Sequence, residues 1–164
     1  RGYMEIVDCG LYTIKDRYFS DFKSDRHMHN KSEGRPYYLS IREHNGITWF
    51  IPISSKVDKY KAKIAQDEIK YGNCIYYHIM NFMSDERALL VGNMIPVTEE
   101  YISKEFTISC QHYIVKDENT IKAVRKKAAR YLSLVRNGKL RPYVDILRIE
   151  RQLINRSKNK SFII

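Results

Sequence analysis

The sequence predicts an α+β domain, and three features carry that expectation. Two β-branched and aromatic runs, Tyr37-Tyr38-Leu39-Ser40-Ile41 and Ile47-Thr48-Trp49-Phe50-Ile51, flank Asn45-Gly46, a strong short-range signal for a β-hairpin. Further short runs of the same character recur along the chain, separated by proline and polar breaks. Near the C-terminus the period changes: Ile121, Val124, Ala128, Leu132 and Val135 recur at helical spacing. At 164 residues the chain can bury one core without staples.

The elements follow in order. Residues 5–15 alternate well enough for a first strand, and residues 16–34 read as a polar, mobile loop with a short helical piece. The hairpin comes next, its Asn-Gly pair suited to positive φ at both central turn positions. Pro52 cannot donate to a ladder, so pairing is expected to weaken there and the chain to leave the sheet. Residues 59–71 are rich in Lys and Ala and fit a short helix or a basic loop. Residues 75–82 and 87–91 read as strands, and Met94-Ile95-Pro96-Val97 as a strand ending at another proline. Tyr101 and Ile102 start a short helix or link before a strand over residues 106–115. The long helix runs from Thr120, its cap candidate, to Asn137, with Gly138 as the stop. A final helix over residues 143–155 packs Val144, Leu147 and Ile154, and residues 156–160 form a loose basic tail. There are no internal repeats. Met4 is a credible native start, so the single domain is read as residues 4–164 and residues 1–3 as a cloning remnant.

Charge narrows the function. The chain carries 29 Lys plus Arg against 19 Asp plus Glu, a net charge of +10, together with 13 Tyr. Basic side chains attract phosphates without regard to sequence, and aromatics stack on unpaired bases. Many of the tyrosines must serve packing in a sheet protein. No apolar run approaches the ~20 residues of a membrane span, so membrane binding is set aside. Polynucleotide is the favoured partner, with single-stranded or irregular RNA fitting the aromatics better than duplex DNA. No acid occurs between Glu118 and Asp145, while Lys122, Arg125, Lys126, Lys127, Arg130 and Arg136 cover most of the polar side of the long helix. Such a face is either solvated or turned to an anionic partner.

At the hairpin's end stand Ser54, Ser55 and Lys56, followed by Lys59, Lys61 and Lys63. Two hydroxyls and an ammonium beside a polybasic run form a candidate phosphate site; the plain alternative is a polar turn next to a solvated face. Cys9, Cys74 and Cys110 are odd in number and sit among apolar neighbours, which fits small buried hydrophobes in a reduced, cytoplasmic setting. His27 and His29 have a spacing that could hold a metal, but no nearby Cys or carboxylate pattern completes a site. No metal or cofactor is expected, and no signal or transit segment follows Met4.

These segments together resemble a known family. Pro52-Ile53-Ser54-Ser55-Lys56 is similar to the "P-L-T-S" segment of the type III toxin–antitoxin endoribonucleases, the ToxN/AbiQ family, and especially its CptN-like branch. Asn93-Met94-Ile95-Pro96-Val97 matches that family's "N-M-I-P-V" strand end. Gln111-His112-Tyr113-Ile114 followed by the helix, with Lys127-Ala128 and Arg130-Tyr131, resembles its last strand and basic helix. The resemblance implies a twisted antiparallel sheet core with surrounding helices, similar to the MazF/Kid toxins. It implies metal-free cleavage of cellular or phage RNA. It also implies inhibition by a small pseudoknotted antitoxin RNA, cut by the toxin from a repeat precursor and alternating with it in a closed assembly. The family's Thr-Ser catalytic pair falls on Ser54 and Ser55. Its lysine preceding the first hairpin strand falls on Arg35, and its lysine after the pair meets Val57, so Lys56 or Lys59 must serve.

Cleavage through RNA's own 2′-OH needs a proton acceptor, donors for the phosphorane and an acid for the 5′-oxygen. Ser54 and Ser55 fit positioning and hydrogen-bond donation, since a hydroxyl is too weak a base unaided. Lys56 is the candidate acid or charge stabiliser, and Arg35 could clamp the phosphate but never gives up its proton. The products would be a 2′,3′-cyclic phosphate and a 5′-hydroxyl. Two other classes share the charge: a non-catalytic RNA-binding protein, indifferent to loss of Ser54 and Ser55, and a DNA-binding regulator, for which no helix-turn-helix pattern is present.

Overall fold

The computed structural model describes residues 4–163, with side chains through residue 160; the remnant read at residues 1–3 lies outside the described residues. Leu11–Ile14 form β1, in which all four side chains are buried. The expected strand over residues 5–15 is shorter because Cys9 takes φ 66° and Gly10 makes only an isolated bridge to Ile114. Asp16–Asp21 form α1. The segment after it is anchored, against the expectation of a mobile loop. Tyr18 and Phe22, one helical turn apart, are buried, and the Asn30 amide donates to Ile14 O (2.9 Å) and Asp16 Oδ1 (2.8 Å).

Tyr37–Arg42 (β2) and Thr48–Ser54 (β3) pair antiparallel as the sequence implies. The turn differs. Arg42 is the last residue paired, with Thr48, and only Gly46 takes positive φ (85°). Asn45 instead accepts the Ile47 N–H on Oδ1 (3.1 Å), and Glu43 N–H closes the loop on Ile47 O (2.8 Å). The geometry expected of Asn-Gly occurs elsewhere, at Ser109 (φ 51°) and Cys110 (φ 65°). These two residues join Thr107–Ile108 and Gln111–His112, so the single strand expected over residues 106–115 is a small hairpin. Cys110 is consequently exposed and Cys9 half-buried; only Cys74 is the buried hydrophobe expected.

Pro52 does not end β3. The Ile53 N–H donates to Pro36 O on the β2 side (3.1 Å), so the missing donor of Pro52 faces the opposite edge. On that edge Ile95–Val97 pairs with the start of β3, and Asp85–Leu89 pairs with Ile53 and Ser54. Pro52 stands where one neighbour gives way to the other. Val57–Tyr71 form α2, a full helix rather than a basic loop, closed by Gly72 at φ 83°. His78–Phe82 (β4) pairs with Asp85–Leu89 (β5); Ile95–Val97 is β6, Ile102–Glu105 is β7, Thr107–Ile108 is β8 and Gln111–His112 is β9. Seven strands make one antiparallel sheet in the order β4-β5-β3-β2-β1-β7, with β6 also on β3. The short helix expected at Tyr101 is a single turn, Glu99–Tyr101.

Glu118–Arg136 form α3, capped by Asp117, not Thr120: Asp117 Oδ2 accepts the Thr120 N–H (3.1 Å) and hydroxyl (2.6 Å). Its apolar stripe, Val124, Ala128, Leu132 and Val135, is buried as the spacing implies. Ile146–Ile163 form α4, which starts later and runs further than expected. The tail over residues 156–160 is therefore helical, and it is held: Arg156 donates to the Tyr101 hydroxyl (2.7 Å) and Lys160 pairs with Glu100. α2 lies against β4 and β5, α3 against β2, and α4 against β6. The core between them is rich in aromatics, with Trp49, Tyr12, Tyr18, Tyr37 and Tyr38 fully buried.

Candidate active site and nucleic-acid interface

Ser54 ends β3 opposite Ala88, so its side chain shares a sheet face with Ala88 and Ile79. Those two pack with Tyr60 and Ile64 of α2, which places Ser54 at the foot of that helix. Ser54 is buried, and its Oγ accepts the Lys56 N–H (3.1 Å). That bond occupies a lone pair and leaves the hydroxyl proton free to donate. Ser55 and Lys56 are exposed at the junction, where Ser55 O accepts the Val57 N–H (2.9 Å) and Lys56 occupies the N-cap position. No side chain caps this helix start, which favours negative charge.

Arg35 is 5% exposed and lies under this junction. Its Nε donates to His29 O (2.7 Å) and its Nη1 to Ile53 O (2.8 Å). The guanidinium expected to clamp a phosphate thus ties the 27–31 loop to the strand end that carries Ser54. Ser54, Ser55, Lys56 and Arg35 come together in space. His29 joins them only through its backbone carbonyl on Arg35; its exposed ring turns to its own loop, where Nδ1 accepts the Lys31 N–H (3.2 Å). After His29 the chain turns through Lys31, Ser32 and Glu33, three successive residues at φ 54°, 54° and 65° that no local sequence signal announces. His27 points elsewhere: its Nε2 bonds Phe22 O (2.8 Å), and burial pushes its pKa down. The two rings do not converge, and among the described residues no three His, Cys, Asp or Glu side chains group to hold a metal.

The basic residues divide into two sets. On α2, Lys59 and Lys63 lie one turn apart, over the rings of Tyr60 (5.3 Å) and Tyr77 (6.0 Å), while Lys61 is paired with Glu86 (2.7 Å). On α3, Lys122, Arg125, Lys126 and Arg130 are exposed, and no ion pair among the described residues engages them. Lys127 and Arg136 are not part of that stripe. Lys127 is half-buried, donating to Tyr77 O (2.9 Å) and His78 Nδ1 (3.1 Å), and burial lowers its pKa. Arg136 pairs with Glu43 (3.1 Å) and Glu150 (2.8 Å), joining the hairpin loop to α3 and α4. Lys63 and Arg130 line one groove, so the two sets meet there.

No family model matches the sequence, and no curated protein does. Solved structures do match the fold. AbiQ, a lactococcal anti-phage endoribonuclease of a type III toxin–antitoxin system, superposes with a TM-score of 0.71 at 14% identity, over 93% of this chain and 99% of AbiQ. A structure from a bacterial antiviral system regulated by a processed non-coding RNA gives 0.60 at 14% identity, over 87% of this chain and 95% of that one. A third, from a bacterial type III toxin–antitoxin system with selective toxin inhibition by a non-coding RNA pseudoknot, gives 0.54 at 22% identity, over 76% and 77%. The chain has the α+β fold seen in type III toxin–antitoxin structures. Among the described residues no helix is long and apolar enough to cross a membrane.

Proposed function

We propose that this chain is an endoribonuclease toxin of a type III toxin–antitoxin system, a metal-independent enzyme held inactive by a small structured RNA that it cuts from a repeat precursor. The observation that carries the reading is the junction of β3 and α2. There a buried serine hydroxyl with a free proton, an exposed serine and an exposed lysine converge at an uncapped helix start, within a fold shared with AbiQ.

In this reading the scissile phosphate sits over the α2 N-terminus. The 2′-OH attacks phosphorus as its proton passes to a base. Ser54 and Ser55 donate to the non-bridging oxygens of the phosphorane, Lys56 offsets its charge, and the 5′-oxygen leaves with a proton. Arg35 positions Ser54 through the backbone and does not touch RNA. The expected products are a 2′,3′-cyclic phosphate and a 5′-hydroxyl.

Expression without the antitoxin RNA tests the proposal. The unaltered chain should arrest growth, and Ser54→Ala or Ser55→Ala should relieve the arrest while the fold is kept. One lost transition-state donor costs ~3 kcal/mol, about a hundredfold in rate. Full toxicity in both single variants and in the double variant would remove these serines from the mechanism.

A further inference from the structure

A groove of about 660 Å³ opens between the C-terminal half of α2, the C-terminal part of α3 and residues 139–143. That volume lies within the ~300–1,000 Å³ range of small-molecule sites. Two of its tyrosines are largely exposed: Tyr143 is 56% exposed, and Tyr71 64%, with the Lys70 ammonium over one face of its ring (5.1 Å). A third, Tyr76, forms a fixed wall. Its ring lies so close to Gly92 that a Cβ there would come within 3.0 Å of it, and it meets Tyr131 edge-on at 6.1 Å. The Tyr131 hydroxyl donates to Gly92 O (3.0 Å), locking the same corner. Around these rings stand Arg130, Lys139 and Arg141. Asp67 is the carboxylate among the lining residues, and it accepts the Cys74 S–H (3.3 Å).

We propose that this groove is a nucleobase-binding subsite for unpaired RNA, with bases stacked on Tyr71 and Tyr143 and the phosphates followed by Arg130, Lys139 and Arg141. The proposal rests on the reading of the chain as an RNA-directed protein and adds a second point of contact to it. Aromatic faces beside cations are what an unpaired nucleotide needs, since each base offers a π-face and each linkage a charge. A base inside a duplex is already stacked and offers only its edges. The subsite is separate from the cleavage centre. Ser54 lies at the start of α2 and the groove at its far half, so RNA bound in the groove would be gripped at a distance from the bond being cut.

Titration of a short single-stranded oligonucleotide carrying 2-aminopurine and 2′-O-methyl riboses tests this. The full chain bears Ser54→Ala and Ser55→Ala, so no cleavage intervenes. Saturable quenching is expected. Tyr71→Ala and Tyr143→Ala should each raise Kd roughly tenfold, Phe at either position should restore affinity, and Arg141→Gln should reduce the salt slope by about one. Both tyrosines are surface residues, so melting curves should coincide across the set. Quenching indifferent to both Ala variants overturns the proposal. So does stronger displacement by a Glu-rich peptide than by unlabelled single-stranded RNA, which would make the groove a peptide site. Toxicity of the unaltered chain is scored apart. Toxicity with tyrosine-independent quenching sinks the subsite alone, and a harmless chain with tyrosine-dependent quenching sinks the nuclease reading alone.

Discussion

Replacing Arg35 by Lys separates a positioning role from a phosphate clamp. The native guanidinium spans two carbonyls, His29 O at 2.7 Å and Ile53 O at 2.8 Å, from a site 5% exposed. An ammonium is a single point of charge on a flexible stem and cannot reproduce that fork. Hydrogen bonds to a charged partner contribute ~1.5–3 kcal/mol each, and a carbonyl left unpaired in a buried place adds its own cost. Arg35→Lys should therefore lose about 2–3 kcal/mol and Arg35→Met, which leaves both carbonyls without a donor, roughly 3–5 kcal/mol. For a domain of this size each kcal/mol moves Tm by ~2–4 °C, so the Lys variant should melt ~5–10 °C lower. Urea and thermal unfolding can be followed by the fluorescence of Trp49, the chain's single tryptophan, which is fully buried. Cleavage should fall with the loss of Ser54 placement while RNA Kd changes little. An unchanged Tm with a tenfold weaker Kd would refute this reasoning and return Arg35 to the phosphate.

Three further outcomes are expected. Glutamine at Lys122, Lys126 and Arg130 should weaken binding of the inhibitory RNA and lower its salt slope by up to about three, with the helix kept because Gln and Lys have near-equal propensity; an unchanged affinity and slope would mean the stripe is merely solvated. Cleavage should proceed undiminished in excess chelator, and activity that vanishes with chelator and returns with magnesium would move the catalytic site elsewhere. Burial, reinforced by the Lys127 ammonium, holds the His78 pKa down at about 4, against 6.5 in an unfolded chain. The unfolded chain takes up the proton first, so stability should decline as pH falls from 6.5 toward 4 and be untouched by this group above that window; with the ring half-exposed the loss is about 1–2 kcal/mol, and His78→Asn should flatten it in melts across that range.

Periodicity alone determined a good deal of this protein. The stripe Val124, Ala128, Leu132 and Val135 located α3 to within a few residues, and the runs around Asn45-Gly46 located the central hairpin, because burying one face imposes a period that composition displays. The junction Ser54-Ser55-Lys56 was legible as a strand end running into a basic segment. What lay beneath it was not. That Arg35 is buried, that its guanidinium ties the His29 carbonyl to the end of β3, and that Lys127 is anchored to Tyr77 and His78 instead of facing solvent all depend on contacts across the fold. Local preference also misled where long-range pairing supplied the energy. Ser109 and Cys110 adopt a left-handed turn with no glycine to favour it because β8 and β9 pair across it, and Pro52 stays in the sheet because the missing donor faces a seam between two neighbours. A side chain's face and period are properties of its own segment, so the sequence carries them. Its hydrogen-bond partners and its burial belong to segments far away in the chain, and only the packed structure decides them.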